Sequence, residues 1–266
     1  MNPYFPGDMY ETPAERGRDW LDRLGGNGRF FYYLRFAAII FQARWQVARG
    51  VYDQAAWAHT SYRLFRLAER SGGHFHISGL RHVAAGDEPV VIVSNHMSLL
   101  ENAVTPCLVA PVRPVTFVLK ASLLRYPIFG PMVASQRPVP VDREHPRADF
   151  ERVMSQGTQL LAEGVSLVIY PEGTRRRVFT PEAFNSLGAK LARKAGVRLL
   201  PLAVRTDFVE NGRYLRDFGP LHRDRPIYLA FGEPIDVAGN GRAAHQAAVD
   251  FIAGRLAAWG APVVGR

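Results

Sequence analysis

A histidine and a carboxylate stand five positions apart in Ser94-Asn95-His96-Met97-Ser98-Leu99-Leu100-Glu101, directly after the apolar run 89–93. An imidazole can take a proton at physiological pH. A carboxylate on its other nitrogen fixes the tautomer and stabilises the imidazolium. If a helix begins near Ser98, Glu101 lies one turn along and can reach back to His96. The same residues also suit a plainer arrangement, a strand-end histidine in a local hydrogen bond beside an acid at a helix N-terminus.

Some 70 residues on, the apolar run 166–170 ends in Pro171-Glu172-Gly173-Thr174-Arg175-Arg176. Gly173 opens backbone conformations closed to other residues. Arg175 can grip a phosphate through paired hydrogen bonds. Glu172 can steady that guanidinium or bind a substrate hydroxyl. The plainer reading is a strand-ending turn with a solvated arginine run. Between these blocks lie Lys120, the Pro- and Gly-punctuated apolar stretch 126–133, and Arg137-Pro-Val-Pro-Val-Asp142-Arg143. The stretch suits an acyl-chain groove, a lipid contact or a buried loop. Pro138 and Pro140 favour an edge strand. A metal site is the weaker alternative, since no His-Glu-x-x-His occurs and no obvious third ligand stands at close spacing.

These groups need a scaffold that presents strand ends together. From His74 onward, apolar runs at 74–80, 89–94, 114–119, 137–141, 166–170, 198–204 and 226–232 read as seven strands. Helical spacing predicts helices over 147–163, 181–195 and 242–259. Alternation of this kind implies a mainly parallel mixed sheet flanked by helices. Ligands gather outside the carboxyl ends of strands in such sheets, where His96 and Glu172 both fall. Residues 1–28 read as a loose arm. Two amphipathic helices follow, over 29–49 and 54–69, giving an N-terminal extension over 1–72 and an α/β domain over 73–266. In the first helix Phe30, Leu34, Phe41 and Trp45 share a stripe with arginines nearby, a pattern suited to a lipid interface or to packing on the chain's own core.

The 266 residues carry a net charge of +9, with Arg far outnumbering Lys. That balance points to an anionic partner, nucleic acid or an anionic membrane surface, though no nucleic-acid recognition motif is present. Cys107 is the only cysteine, so no intrachain disulfide is expected, and it reads as a small core residue. The run 36–41 is far short of the ~20 apolar residues a spanning helix needs. No signal peptide is evident at the N-terminus.

Taken together, the blocks resemble the PlsC-type 1-acylglycerol-3-phosphate acyltransferases of the glycerolipid acyltransferase superfamily. Asn95-His96-Met97-Ser98-Leu99-Leu100-Glu101 resembles the first family block, Lys120 through Gly130 to Asp142-Arg143 the second, Tyr170-Pro171-Glu172-Gly173-Thr174-Arg175 the third and Leu200-Pro201-Leu202-Ala203 the fourth. The resemblance spans roughly residues 75–237. It implies a fatty-acyl transfer from an acyl-CoA or acyl carrier protein thioester to a lysophospholipid hydroxyl, forming phosphatidic acid, without a cofactor or a covalent enzyme intermediate. It implies His96 as base and Glu101 as its orienting acid. Asn95, Ser98, Lys120, Arg143, Glu172, Gly173, Thr174 and Arg175 would form the substrate site. Three departures stand out. Glu101 replaces the usual Asp, Asn185 follows Phe184 where Lys is frequent, and long N-terminal spanning helices are missing. Attachment to the cytoplasmic face of a membrane, monotopic or peripheral, is therefore expected. Another lyso-lipid acceptor, such as lyso-phosphatidylcholine or an amino-acid lipid, or a catalytically silent lipid-binding module, are the alternatives.

Overall fold

The apolar run before His96 forms strand β3 (Val90–Ser94), and every residue in it is buried. Val90 and Ile92 enter one core, and Val91 and Val93 the other, because successive strand side chains point to opposite faces. A strand apolar on both faces belongs inside a helix-covered parallel sheet. The computed structural model places it there, and describes residues 2–24, 28–127, 129–213 and 216–265.

The other strands are β1 (Tyr10–Glu11), β2 (Phe75–Ser78), β4 (Val115–Lys120), β5 (Val139–Val141), β6 (Ser166–Ile169), β7 (Arg198–Arg205) and β8 (Ile227–Phe231). They form one eight-stranded sheet in the order β1-β2-β8-β7-β3-β6-β4-β5. The pairs β1–β2 and β7–β8 are antiparallel, and β3 runs parallel to both its neighbours. The helices are α1 (Trp20–Leu24), α2 (Phe30–Ala48), α3 (Gln54–Arg70), α4 (Leu80–Val83), α5 (Leu100–Val109), α6 (Gly130–Ala134), α7 (Pro146–Ala162), α8 (Leu187–Ala195) and α9 (Arg242–Ala258). Buried side chains of α2, α3, α5 and α6 pack on one sheet face and those of α7, α8 and α9 on the other. The expected helix over 181–195 is split: a 3-10 turn covers Pro181–Ala183 before α8 begins. At Gly188 a Cβ would come within 2.2 Å of Val93 Cγ1, so α8 lies directly against β3.

The N-terminal stretch differs from the loose arm expected, and the reason is specific polar anchoring. Asn2 Nδ2 donates to the carbonyls of Cys107 and Leu108 at the end of α5. Tyr10 OH and Thr12 Oγ1 donate to the buried Glu69, and Phe5 packs edge-on against Phe65. Two residues of β1 extend the sheet beside β2. Nor does packing separate at residue 72, since Tyr32, Phe36, Trp57 and Phe65 share one core with the sheet. Met1 and residues 25–27 of that arm lie outside the described residues. Among the described residues no helix is long and apolar enough to cross a membrane.

Candidate active site

β3 and β6 are neighbours, so the segments leaving their carboxyl ends meet. His96 N–H donates to Glu172 Oε2 at 3.0 Å, and Arg176 N–H donates to the His96 carbonyl at 2.7 Å. These two bonds pin the histidine loop to the Pro171–Arg176 turn. Tyr170, the last residue before that turn, stacks on the His96 ring with centroids 4.2 Å apart.

Glu101 sits in the first turn of α5 and is fully buried. Its Oε1 lies 2.7 Å from His96 Nδ1. The same carboxylate accepts from the Met97 and Ser98 N–H groups and, at 2.5 Å, from the Thr206 hydroxyl. Burial alone would raise the carboxyl, but the hydrogen bond and charge of His96, with Thr206 and the Ser98 N–H, hold it well below the usual carboxylate range. An ionised carboxylate only accepts hydrogen bonds, so His96 Nδ1 must carry its proton. Neutral His96 then presents the lone pair of Nε2, which has no partner among the described residues. The pair can therefore take a proton from a hydroxyl and hold the resulting imidazolium.

Two expected substrate contacts have other tasks. Both ends of the Asn95 side-chain amide bond the Val204 backbone, at 2.8 and 2.9 Å, tying the end of β3 to β7. Ser98 Oγ lies 3.0 Å from Glu101 Oε2 and accepts from Leu100 N–H. Both brace the base loop. Glu172 is likewise turned inward. Its Oε1 is buried without a partner among the described residues, and burial pushes the carboxyl up to about 7 against the pull of the His96 N–H.

Beside this centre lies a cavity of about 340 Å³ between β4, β5, β6, α7 and α8. Val118, Val141, Val153 and Ile169 make its apolar wall, and Arg143, Lys190 and Gly173 stand at its polar side. Of the stretch 126–133, one candidate for an acyl-chain groove, no described residue lines this cavity; Ile128 is outside the described residues. Arg143 has a φ of 67°, an αL backbone held by its N–H bond to Asp149 Oδ2. Gly173, at φ 68°, closes the turn by donating to the Tyr170 carbonyl, and that turn leads to Arg176, whose N–H meets the His96 carbonyl. Lys120 is exposed at the end of β4, two strands from β3 in the sheet order. Asn185, at the position of departure from the family pattern, donates to the Pro171 carbonyl and so fastens the turn. Among the described residues no cluster of three or more His, Cys, Asp or Glu could hold a metal ion.

Arg175 has two partners that sequence reading missed. Its Nη1 pairs with Asp217 at 2.7 Å and donates to Asn211 Oδ1 at 3.1 Å. Thr206 was missed too. All three follow β7 in irregular chain, with no periodicity or motif to mark them. Tyr170 stood inside a recognised block, and its ring was the available signal for a platform under His96.

The mainly parallel sheet thus presents a buried His–carboxylate pair at one strand end and an arginine turn at the next. The comparisons carry this to a family. The Acyltransferase family model matches residues 74–205. A 1-acyl-sn-glycerol-3-phosphate acyltransferase of Pseudomonas aeruginosa is 30% identical over 185 residues, covering 70% of this chain and 67% of that protein. A chloroplastic 1-acyl-sn-glycerol-3-phosphate acyltransferase of Arabidopsis thaliana is 30% identical over 128 residues, 48% of this chain but 35% of that protein. The crystal structure of PlsC from Thermotoga maritima superposes with a TM-score of 0.63 at 20% identity, covering 87% of this chain and 92% of that one, which establishes a shared fold. The chain belongs to the PlsC-type acyltransferase family and is an O-acyltransferase.

Proposed function

We propose that the protein transfers a fatty-acyl group from an acyl thioester to the free hydroxyl of 1-acylglycerol 3-phosphate, forming phosphatidic acid. The observation that carries this is the buried His96–Glu101 pair, its Nε2 without a partner among the described residues, on a loop hydrogen-bonded to the turn that carries Arg175. The acceptor hydroxyl attacks the thioester carbonyl as His96 Nε2 takes its proton. The tetrahedral adduct collapses, the C–S bond breaks, and the imidazolium returns the proton to the leaving thiolate. Glu101 stays ionised throughout and stabilises the imidazolium. Arg175 meets the acceptor phosphate, with Arg143 and Thr174 on the same side. Both acyl-CoA and acyl carrier protein are anionic, and the net charge of +9 suits either as donor. The exposed face of α2, with Phe30, Leu34, Phe41 and Trp45, supports docking on a membrane surface, and the cytoplasmic face is our reading.

The test is purified protein in detergent with a labelled acyl thioester and a panel of lyso-lipids. Transfer to 1-acylglycerol 3-phosphate well above transfer to lyso-phosphatidylcholine or a lyso-amino-acid lipid is expected. A preference for one of the others would replace the acceptor, and no transfer to any would refute the reading.

A further inference from the structure

The chain after β7 enters the site, and none of the sequence blocks gives it a task. The Arg175 side chain is only 12% exposed, and one end of its guanidinium is taken twice, Nη1 being shared by Asn211 Oδ1 and Asp217. Nε and Nη2 have no partner among the described residues. An arginine presents its donors in a rigid fork. Occupying Nη1 therefore leaves the Nε–Nη2 edge, which can grip a phosphate through two parallel bonds. Asn211 makes a second bond as well. Its Nδ2 donates at 3.0 Å to the carbonyl of Met97, the residue after His96. One side chain thus links the arginine of the third block to the loop that carries the base. Nearby, Arg216 Nη2 lies 3.4 Å from Thr174 Oγ1, and its charge bears on Arg143. Cations accumulate on that side, while the carboxylate of Asp217 is engaged with Nη1.

We infer that Asn211 is a positioning residue for the acceptor. It holds the Nε–Nη2 edge of Arg175 at a fixed reach from His96 Nε2, so that an anionic head group docked there delivers its hydroxyl to the base. Asp217 is the countercharge that keeps the guanidinium in this pose before the acceptor arrives. The inference rests on the acceptor reading above and deepens it, because it assigns the selection of a phosphate-bearing acceptor to a loop outside the family blocks.

A double-mutant cycle tests it, with two readouts. Binding of 1-acylglycerol 3-phosphate micelles is measured by calorimetry, and transfer from labelled acyl-CoA or acyl carrier protein is measured separately. Asn211→Ala should weaken acceptor binding about ten- to hundredfold, the range for losing one hydrogen bond to a charged group. Arg175→Ala should weaken it at least as much, and adding Asn211→Ala to Arg175→Ala should cost nothing further. A merely structural role would lower both backgrounds alike. Unchanged binding in Asn211→Ala, or a full additional loss on the Arg175→Ala background, overturns the inference. Should Asn211→Ala melt far below wild type, Asn211→Ser, too short to reach the guanidinium, completes the same cycle. Normal transfer with an additive cycle sinks the inference and leaves the function standing. A non-additive cycle without transfer from either thioester refutes the proposed transfer and leaves Asn211 with a role in anion binding alone. A wild-type protein that does not bind the acceptor removes both.

Discussion

At the residue scale, His96 and Glu172 share one hydrogen bond and differ in what they do. His96→Ala should lower transfer at least about a hundredfold, since general bases contribute 10²–10⁴-fold. Its melt should fall while the fold persists, because the truncation takes the Glu101 partner and the ring stacked on Tyr170 but leaves Glu101 its bonds from Met97, Ser98 and Thr206. Near-normal transfer by the folded variant would remove His96 from the mechanism. Glu172 yields a pH-dependent signature instead. Its folded-state value of about 7 exceeds the ordinary carboxylate value. In acid both states are protonated and no penalty exists. As pH rises the unfolded chain ionises first, so the native state loses stability, on the order of 3 kcal/mol at most, until pH passes about 7. Glu172→Gln keeps an acceptor for the His96 N–H and does not titrate. The melting temperature of Glu172→Gln relative to wild type should therefore rise between pH 5 and pH 8. A flat difference would mean that Glu172 is solvated in the native state.

At the scale of elements, the site depends on how closely α8 backs β3. Gly188→Ala would drive a methyl group into Val93, and overpacking of this kind costs about 1–3 kcal/mol. Thermal denaturation should report a drop of about 2–4 °C per kcal/mol for a chain of this size; an unchanged melt would show that α8 slides freely. The elements that sequence made legible are those with an internal signal. β3 and β6 are continuous apolar runs, and α7 repeats its buried residues on one face. β1 is two residues long and gains strand character only from β2, so no local pattern could reveal it. The candidate site divides along the same line. His96 and Glu101 are five residues apart and were readable as a pair. Thr206 reaches Glu101 across 105 positions, and Asn211 reaches Arg175 across 36. Such contacts arise only when β7 is laid beside β3.

Across the whole molecule, apolar and basic surface coincide on the N-terminal helices. Phe41 and Trp45 are more than half exposed, and Arg49 lies over the Trp45 ring. If α2 meets a bilayer, Phe41→Asp with Trp45→Asp should weaken vesicle binding by on the order of a hundredfold or more, the equivalent of two buried aromatic side chains. Added salt should weaken binding to anionic vesicles and spare the neutral ones. Protein that ignores both vesicle types in co-sedimentation would exclude this face as a membrane surface. The core beneath contains a built-in clock. Cys107 is fully buried on α5, the helix that also carries Glu101, and burial pushes its thiol up to about 12. A thiol in that state is inert to alkylating reagents until the helix is uncovered. Being the single sulfhydryl of the chain, it times that event without any engineered label. When opening and reclosing are fast, the alkylation rate follows the open population. A bound acceptor that holds the site together should slow the reaction in proportion to its occupancy, so one mass-spectrometric time course would read ligand affinity from the centre of the protein.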